Sequence, residues 1–327
     1  GTGMKRALAG VLLATAASAA IRGVVVNRTT GKPAAGIAVK LVSMSAAGMQ
    51  AAETVTADAQ GRFQFSKTPE AVHYLVEAEL DGVAYHRMVP PDETSGEIEL
   101  EVYEVTARPA PRPAQRIVVL EPGAGALRVG ETWLYRNDGK RTLFDPSAGS
   151  LRFYVPDAAQ GEISVMVTAP GGMPVRRVAQ KEPGSGFYRV GFPIKPGETR
   201  FDIGYTLPVA STFATRMPYP EAPVRLVTPA GVTLSGDGLE TLGPDPSGRA
   251  MIYEMRGRRE FSVQVAGRGV LADASEEAGP SPEQILPAIY DRLGWVLGPA
   301  VAALVLGLLL LYRTSPPLMA DRRFRRP

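Results

Sequence analysis

Residues 293–312 form an apolar run without a charged side chain, and this run limits the fold of the chain more than any other feature. At about 1.5 Å per residue, such a run matches a hydrocarbon core of about 30 Å, so it predicts one transmembrane helix. Trp295 and Tyr312 lie near its ends, where amphipathic rings prefer the membrane interface. Arg313 opens a basic tail, residues 313–327, so the positive-inside rule predicts a cytoplasmic C-terminus.

Small residues recur within this predicted helix at the spacing of helix–helix contacts. Two stripes of the small-xxx-small type consist of Gly294, Gly298 and Ala302, and of Ala303 and Gly307. Such stripes allow transmembrane helices to approach closely. Because Gly and Ala are common in transmembrane helices in general, a simple anchor remains an equal alternative.

Residues 1–19 consist of a short N-terminal scar, Gly-Thr-Gly, followed by the pattern of an export signal. Lys5 and Arg6 are followed by the apolar residues 7–16, and Ala17 and Ala19 form an A-x-A cleavage site. The apolar part is too short to cross a bilayer. The signal and the charge bias together place residues 20–292 in the periplasm or outside the cell, on a single-pass protein of the cell membrane.

Residues 21–105 consist of short alternating segments between turn residues. The chain has 35 Gly and 29 Pro without a collagen period, a composition typical of many turns between short strands. The segment "IAVKLVS" alternates apolar residues on one face with Ala and Lys on the other. About seven strands in this length predict a small β-sandwich.

The turn residues of this region carry a resemblance to a known family. They are Gly31, Pro33 and Gly36 in a G-x-P-x-x-G turn, Asp58, Gly61 and Phe63 in a D-x-x-G-x-F hairpin, and Gly82 in a late hairpin. In this order the region resembles the carboxypeptidase regulatory-like domain, a transthyretin-like sandwich. The resemblance implies a non-catalytic accessory module, in a fold group that also contains carbohydrate-binding modules. Fold resemblance does not carry function with it.

The Asp81-Gly82 pair predicts a two-residue type I′ turn, which needs positive φ at both positions. Such a turn would place Glu77 opposite His86 on the outer surface. It would also direct Arg87 toward the core, which is unfavourable, so a bulge or a longer turn is an alternative.

The rest of the exported part divides into three pieces. Residues 106–115 are rich in Pro and Arg and predict a semi-rigid spacer. Residues 116–270 have many short strand patterns and predict an immunoglobulin-like β-sandwich with a small extension after Pro208. Residues 280–292 predict a juxtamembrane helix, with Ser281 as its N-cap. The fold class is therefore mainly β: two tandem β-sandwich domains followed by one transmembrane helix.

Few residues suit catalysis, so the sequence predicts a protein that is not an enzyme. His73 and His86 are the only histidines, there is no Cys, and no phosphate-binding or nucleophile motif appears in a strand-to-helix context. No catalytic residue, cofactor or metal site is assigned. The net charge is only +3, and the basic residues do not form a stripe with interleaved aromatic residues. Nucleic acid is therefore not expected as a partner.

Two groups of residues are candidates for binding. Glu97, Glu99 and Glu101 form a row on one strand face, which is either a calcium-binding or partner-facing surface or, more often, a solvated face or a charged edge that discourages strand pairing. Trp133 and Tyr135 are the candidate platform for a sugar ligand, although their alternation fits a core better.

The leading functional hypothesis is a structural or interaction subunit, or scaffold, of a cell-envelope complex. Its expected partners are the membrane, through one helix, and a protein in the membrane or envelope. The alternative is a carbohydrate-binding or adhesive surface protein whose ligand is a polysaccharide.

Overall fold

The computed structural model describes residues 21–271, except 47, 67, 70, 95, 124, 209, 210, 221, 270 and the side chain of Asp92. The predicted export signal, juxtamembrane helix, transmembrane helix and basic tail lie outside these residues. The described part is mainly β, with several sheets and no α-helix. Within it, no helix has the length and apolar character needed to cross a bilayer.

The first β-region, residues 21–106, contains two four-stranded sheets. The strand bounds are β1 Arg22–Asn27, β2 Lys32–Pro33, β3 Ala38–Ser45, β4 Gly48–Thr56, β5 Arg62–Gln64, β6 His73–Leu80, β7 Val83–Val89, β8 Glu97–Val102 and β9 Val105–Thr106. In one sheet β1 pairs with β2, β5 and β8, and only β8 runs parallel to it. The other sheet has the order β4-β3-β6-β7, and a 3₁₀ turn, Pro91–Glu93, leads from β7 toward β8.

Both sheets of the first β-region contribute to one apolar core. Alternate residues of β1, β3, β6, β7 and β8 are buried in it, as the period of two in the sequence predicts. Phe63 and Phe65 are buried there with their ring centroids 5.5 Å apart. Ile98, Leu100 and Val102 fill the core from β8, so the glutamates of this strand face outward.

The predicted turn at Asp81-Gly82 is confirmed. Asp81 has φ 52° and Gly82 has φ 74°, the left-handed region that a type I′ turn requires. Glu77 lies opposite His86 in the register of β6 and β7, and Arg87 lies opposite Val76. The register therefore needs no bulge. Arg87 lies on the same side of β7 as the buried residues Val83, Tyr85 and Val89.

The second β-region, residues 113–267, contains the remaining strands. Their bounds are β10 Pro113–Pro122, β11 Ala126–Asn137, β12 Thr142–Leu143, β13 Leu151–Tyr154, β14 Gln160–Thr168, β15 Val175–Arg176, β16 Gln180–Lys181, β17 Phe187–Val190, β18 Gly197–Pro208, β19 Thr212–Arg216, β20 Val224–Pro229, β21 Val232–Ser235, β22 Leu239–Pro244, β23 Ala250–Met255 and β24 Glu260–Gly267. An eight-stranded sheet has the order β15-β14-β18-β11-β10-β20-β23-β22. Two three-stranded sheets, β13-β17-β16 and β19-β24-β21, share one core with it.

The chain after Pro208 is not the small extension that the sequence predicted. Strands β20, β22 and β23 supply three of the eight strands of the large sheet. They join it because β20 runs parallel to β10, with Arg116 opposite Val224 and Val119 opposite Val227. Parallel neighbours need a long crossover, and here the crossover, residues 123–223, is about two thirds of the region.

The predicted spacer, residues 106–115, is also only partly a spacer. Thr106 belongs to β9, which runs parallel to β12 of the second β-region. Residues 113–115 already belong to β10. The ends of the segment are therefore fixed by backbone hydrogen bonds to the second β-region, and only residues 107–112 lie outside strands.

Candidate functional site

The two β-regions meet at a junction held by side-chain hydrogen bonds. The Tyr85 hydroxyl, on β7, donates to the carbonyl oxygen of Tyr103 at 2.7 Å. It also shares a hydrogen bond of 2.7 Å with Thr142 Oγ1, which belongs to the second region. Thr29 Oγ1 donates to the carbonyl oxygen of Lys140 at 2.5 Å. Because Tyr85 and Thr142 are buried, these bonds replace water contacts and fix the two regions against each other.

Lys195 reaches the first β-region from the turn between β17 and β18. Its Nζ donates to the carbonyl oxygen of Ala84 at 2.6 Å and lies 4.8 Å from the ring centroid of Tyr85. In a two-residue hairpin, Leu80 and Val83 exchange hydrogen bonds, so the carbonyl of Ala84 points away from β6. Lys195 therefore caps a carbonyl on the open edge of β7.

A cleft lies beside this contact, and we call it the junction cleft. It encloses about 500 Å³. Its donor wall consists of His86, Arg87 and Lys195, and its acceptor wall consists of Glu99, Glu101 and Tyr103. Pro170 and Pro196 complete it from the second region. Side chains of both charge signs therefore line one space.

Arg87 joins the edges of the two sheets of the first β-region. Although its phase in β7 points toward the core, its side chain is 46% exposed. Nη1 donates to the backbone carbonyl oxygen of Glu99 on β8 at 3.2 Å, and Nη2 lies 3.8 Å from Glu93 Oε2. Burial of this charge in the core is avoided because β7 is an edge strand. From an edge strand, a long side chain can extend past the end of the sheet to solvent.

His86 lies on the outer surface opposite Glu77, as predicted, and on the wall of the junction cleft. A Cβ atom on Gly172 would lie 3.5 Å from His86 Nε2, so the loop after β14 approaches the ring closely. Burial lowers the pKa of His86, and the charge of Lys195 lowers it further, while Glu77 raises it. His86 is therefore mainly neutral near pH 7.

The acceptor wall is an ordered ion-pair cluster on β8, an edge strand of its sheet. Arg28 forms a short ion pair with Glu99 and donates from Nε to Glu101 Oε1 at 2.9 Å. The Tyr103 hydroxyl donates to Glu101 Oε2 at 2.7 Å. Burial, together with this hydrogen bond, raises the pKa of Tyr103 to about 12. Glu99 and Glu101 therefore form part of a charged strand edge, and Arg28 is their counter-ion.

The lowered pKa of Lys195 predicts a pH-dependent stability. Burial lowers this pKa from 10.5 to about 8, although the charge of Glu77 opposes the change. Between these two pH values the unfolded chain binds more protons than the folded chain, so the free energy of unfolding is expected to rise from pH 8 to pH 10.5. Lys195→Met should remove this rise, measured by thermal unfolding across the pH range. Equal pH profiles for the two proteins would contradict the assignment to Lys195.

The core of the second β-region contains a buried charged cluster. Arg116 Nη2 lies 3.0 Å from Glu131 Oε2, with side-chain exposures of 1% and 0%. Trp133 Nε1 donates to the same oxygen at 3.0 Å, and the Tyr205 hydroxyl donates to Glu131 Oε1 at 2.9 Å. The Trp133 ring also lies 4.6 Å from the guanidinium carbon of Arg116. Both carboxylate oxygens are satisfied, so the cluster is a structural element of the core.

The predicted ligand platform is wrong. Trp133 and Tyr135 are each 1% exposed, because they occupy core-facing positions of β11. Tyr135 donates to the carbonyl oxygen of Ser150 at 3.1 Å, and its ring packs against Phe201. Neither ring is available for stacking on a sugar.

The other predicted site residues lie outside the described residues. These are the cleavage-site residues Ala17 and Ala19, the helix-packing residues Gly294, Gly298, Ala302, Ala303 and Gly307, and the interface residues Trp295, Tyr312 and Arg313. Within residues 21–271 as described, no group of three or more His, Cys, Asp or Glu side chains is arranged to hold a metal ion.

Comparisons with known proteins give little information. No family model and no curated protein matches the chain. Among solved structures, a mutant of an M1 zinc metallopeptidase from Deinococcus radiodurans is similar in part, with 14% identity and a TM-score of 0.27. The alignment covers 48% of this chain and 43% of that chain, so this chain spans less than half of that protein. A likeness this low carries no argument about fold, family or activity.

Proposed function

We propose that this chain is an exported, single-pass membrane protein that acts as a non-enzymatic structural or interaction subunit of a cell-envelope complex. Two tandem β-sandwich domains, joined firmly at the junction, present a protein-binding surface on the second domain. The predicted helix at residues 293–312 anchors them, and residues 20–292 face the periplasm or the cell exterior. The mainly β character of the described part is consistent with two β-sandwich domains.

One observation carries the proposal: the outer face of the eight-stranded sheet is apolar across the three neighbouring strands β10, β20 and β23. Val119 on β10 lies beside Val227 on β20, and Val227 lies opposite Ile252 on β23. All three side chains are half-buried and face away from the core, and none belongs to the residues that pack against it. We call these three residues the apolar row. A sheet face that is open to solvent usually carries polar residues.

The surroundings of the apolar row suit a protein partner. Arg225 and Glu254 occupy the next outward-facing pair of β20 and β23, with Arg225 Nε 3.9 Å from Glu254 Oε2. Arg256 forms a short ion pair with the same carboxylate. An apolar centre with a charged rim is the usual composition of a protein–protein interface. The alternative, a sugar-binding surface protein, has lost its predicted aromatic platform, because both rings are buried.

Val227→Arg tests the proposal. The variant places a charge in the centre of the apolar row, so the amount of captured partner is expected to fall at least about tenfold, since an unpaired buried charge costs about 2 kcal/mol or more. The full chain would be extracted in mild detergent, and co-purifying proteins would be quantified by mass spectrometry. Gln160→Arg, at an exposed position of β14, is the matched control. Equal capture by both variants, or a monomer without partners in the unmodified protein, would refute the proposal.

A further inference from the structure

We propose that the junction cleft binds a small zwitterionic ligand of the amino-acid or short-peptide class. The ligand carboxylate lies on the donor wall, and its ammonium group lies on the acceptor wall. This inference concerns a different surface from the apolar row, so a negative result for one proposal leaves the other unaffected.

The donor wall has unused capacity for a carboxylate. Lys195 carries three protons on Nζ, and among the described residues one acceptor, the carbonyl oxygen of Ala84, lies within hydrogen-bond distance. His86 forms no hydrogen bond within the described part of the chain, although a ring N–H of either tautomer is a donor. Arg87 adds a guanidinium that is 46% exposed. Charge-assisted hydrogen bonds from such groups to a carboxylate are the strong ones.

The acceptor wall has one free position for an ammonium group. Glu101 uses both carboxylate oxygens, one with Arg28 and one with Tyr103. Glu99 uses Oε1 with Arg28, while its Oε2 accepts no hydrogen bond from the described residues. The Glu99 side chain is 42% exposed and lines the cleft. A ligand ammonium therefore pairs with Glu99, and Glu101 holds Arg28 and Tyr103 in place.

The size and the charges of the junction cleft select this class of ligand. A volume of about 500 Å³ lies within the usual range for small-molecule sites. A simple anion would meet the carboxylates of the acceptor wall, and a simple cation would meet Lys195 and Arg87. Like-charge contacts of this kind disfavour the wrong ligand. A ligand with one charge of each sign, separated by a short backbone, satisfies both walls.

Titration calorimetry on the full chain in mild detergent tests the inference with three probes of one length. They are tri-alanine, N-acetyl-tri-alanine and tri-alanine amide, which carry both charges, only the carboxylate, and only the ammonium group. Tri-alanine is expected to bind with a dissociation constant of about 1 mM or lower. Each blocked form should bind at least about tenfold more weakly, because it loses one charge-assisted contact. Equal binding of the three probes, or no binding of tri-alanine at about 10 mM, would overturn the inference.

Two variants assign the contacts. Glu99→Gln should reduce tri-alanine binding to the level of the N-acetylated probe, and His86→Gln should weaken tri-alanine and the N-acetylated probe alike. Glu97→Gln is the matched control, because Glu97 lies on the same strand but does not line the cleft. All three positions are at least partly exposed, so the variants should fold. Loss of binding in Glu97→Gln, or unchanged binding in Glu99→Gln, would also overturn the inference.

Discussion

Glu131→Ala is expected to lower the free energy of unfolding by about 3–5 kcal/mol, because it leaves the buried guanidinium of Arg116 without its counter-ion. The loss also removes the acceptor of Trp133 Nε1 and of the Tyr205 hydroxyl. The remaining partners of Arg116 are neutral: Thr215 Oγ1 at 3.2 Å and Met217 Sδ at 3.0 Å. Denaturant unfolding followed by tryptophan fluorescence measures the effect, since Trp133 contacts the altered residue directly.

A double variant distinguishes the lost ion pair from general damage to the core. Arg116→Met combined with Glu131→Leu removes both charges and keeps much of the volume. Replacing a buried pair by apolar residues is often neutral, so the double variant should be more stable than Glu131→Ala alone by about 2 kcal/mol or more. If the double variant were the less stable of the two, the charge would not be the cause of the loss in Glu131→Ala.

The local features of the fold could be predicted from the sequence because their causes are local. Positive φ at Asp81 and Gly82 follows from the turn that joins two adjacent strands, and this turn then fixes the pairing of Glu77 with His86. The turn at Asp58 likewise depends on neighbours, since Asp58 Oδ1 accepts the backbone N–H groups of Gln60 and Arg62, both at 2.8 Å. The inward faces of the strands follow from alternation in the same way.

The features that the sequence did not predict depend on distant residues. The buried pair was hidden because Arg116 and Glu131 each occupy a position on the core-facing, mostly apolar side of a strand, and alternation alone does not show that the two meet. The available signal was that Arg116 and Glu131 each fall at every second position together with the buried apolar residues of their strands. The pairing of β10 with β20 joins residues more than 100 positions apart, and the contact of Lys195 with Ala84 spans 111 positions. No local pattern identifies such partners.

The junction cleft follows from the same long-range contacts. Its donor wall combines β7 with the turn after β17, and its acceptor wall is β8, so it forms only when the two β-regions are docked. The sequence identified His86, Glu99 and Glu101 as separate candidates. It assigned His86 to a surface pair and the glutamates to a charged edge, and both descriptions are accurate for the strands alone. Lys195, Pro170 and Pro196 of the second β-region complete the space that these residues line.

Gly23→Ala is expected to destabilise the first β-region by about 3 kcal/mol, the upper part of the range for overpacked cores. Gly23 lies in the middle of its sheet, opposite Phe63 on β5 and Ile98 on β8. A Cβ atom there would lie 2.0 Å from the carbonyl oxygen of Ile98 and 2.7 Å from Phe63 Cζ. A phenyl ring can turn away, but a backbone carbonyl in a paired strand moves only with its strand.

The effect of Gly23→Ala should be confined to the first β-region, because each region has its own core. Hydrogen exchange followed by mass spectrometry resolves this, with faster exchange expected in peptides from residues 21–102 and little change in those from residues 150–267. Gly191→Ala is the matched control, since no neighbouring atom lies within 4 Å of its added methyl group, and its effect should stay within about 0.5 kcal/mol. Equal acceleration in both regions would mean that the junction couples them into one cooperative unit, so that docking, in addition to the separate cores, stabilises the described part of the chain.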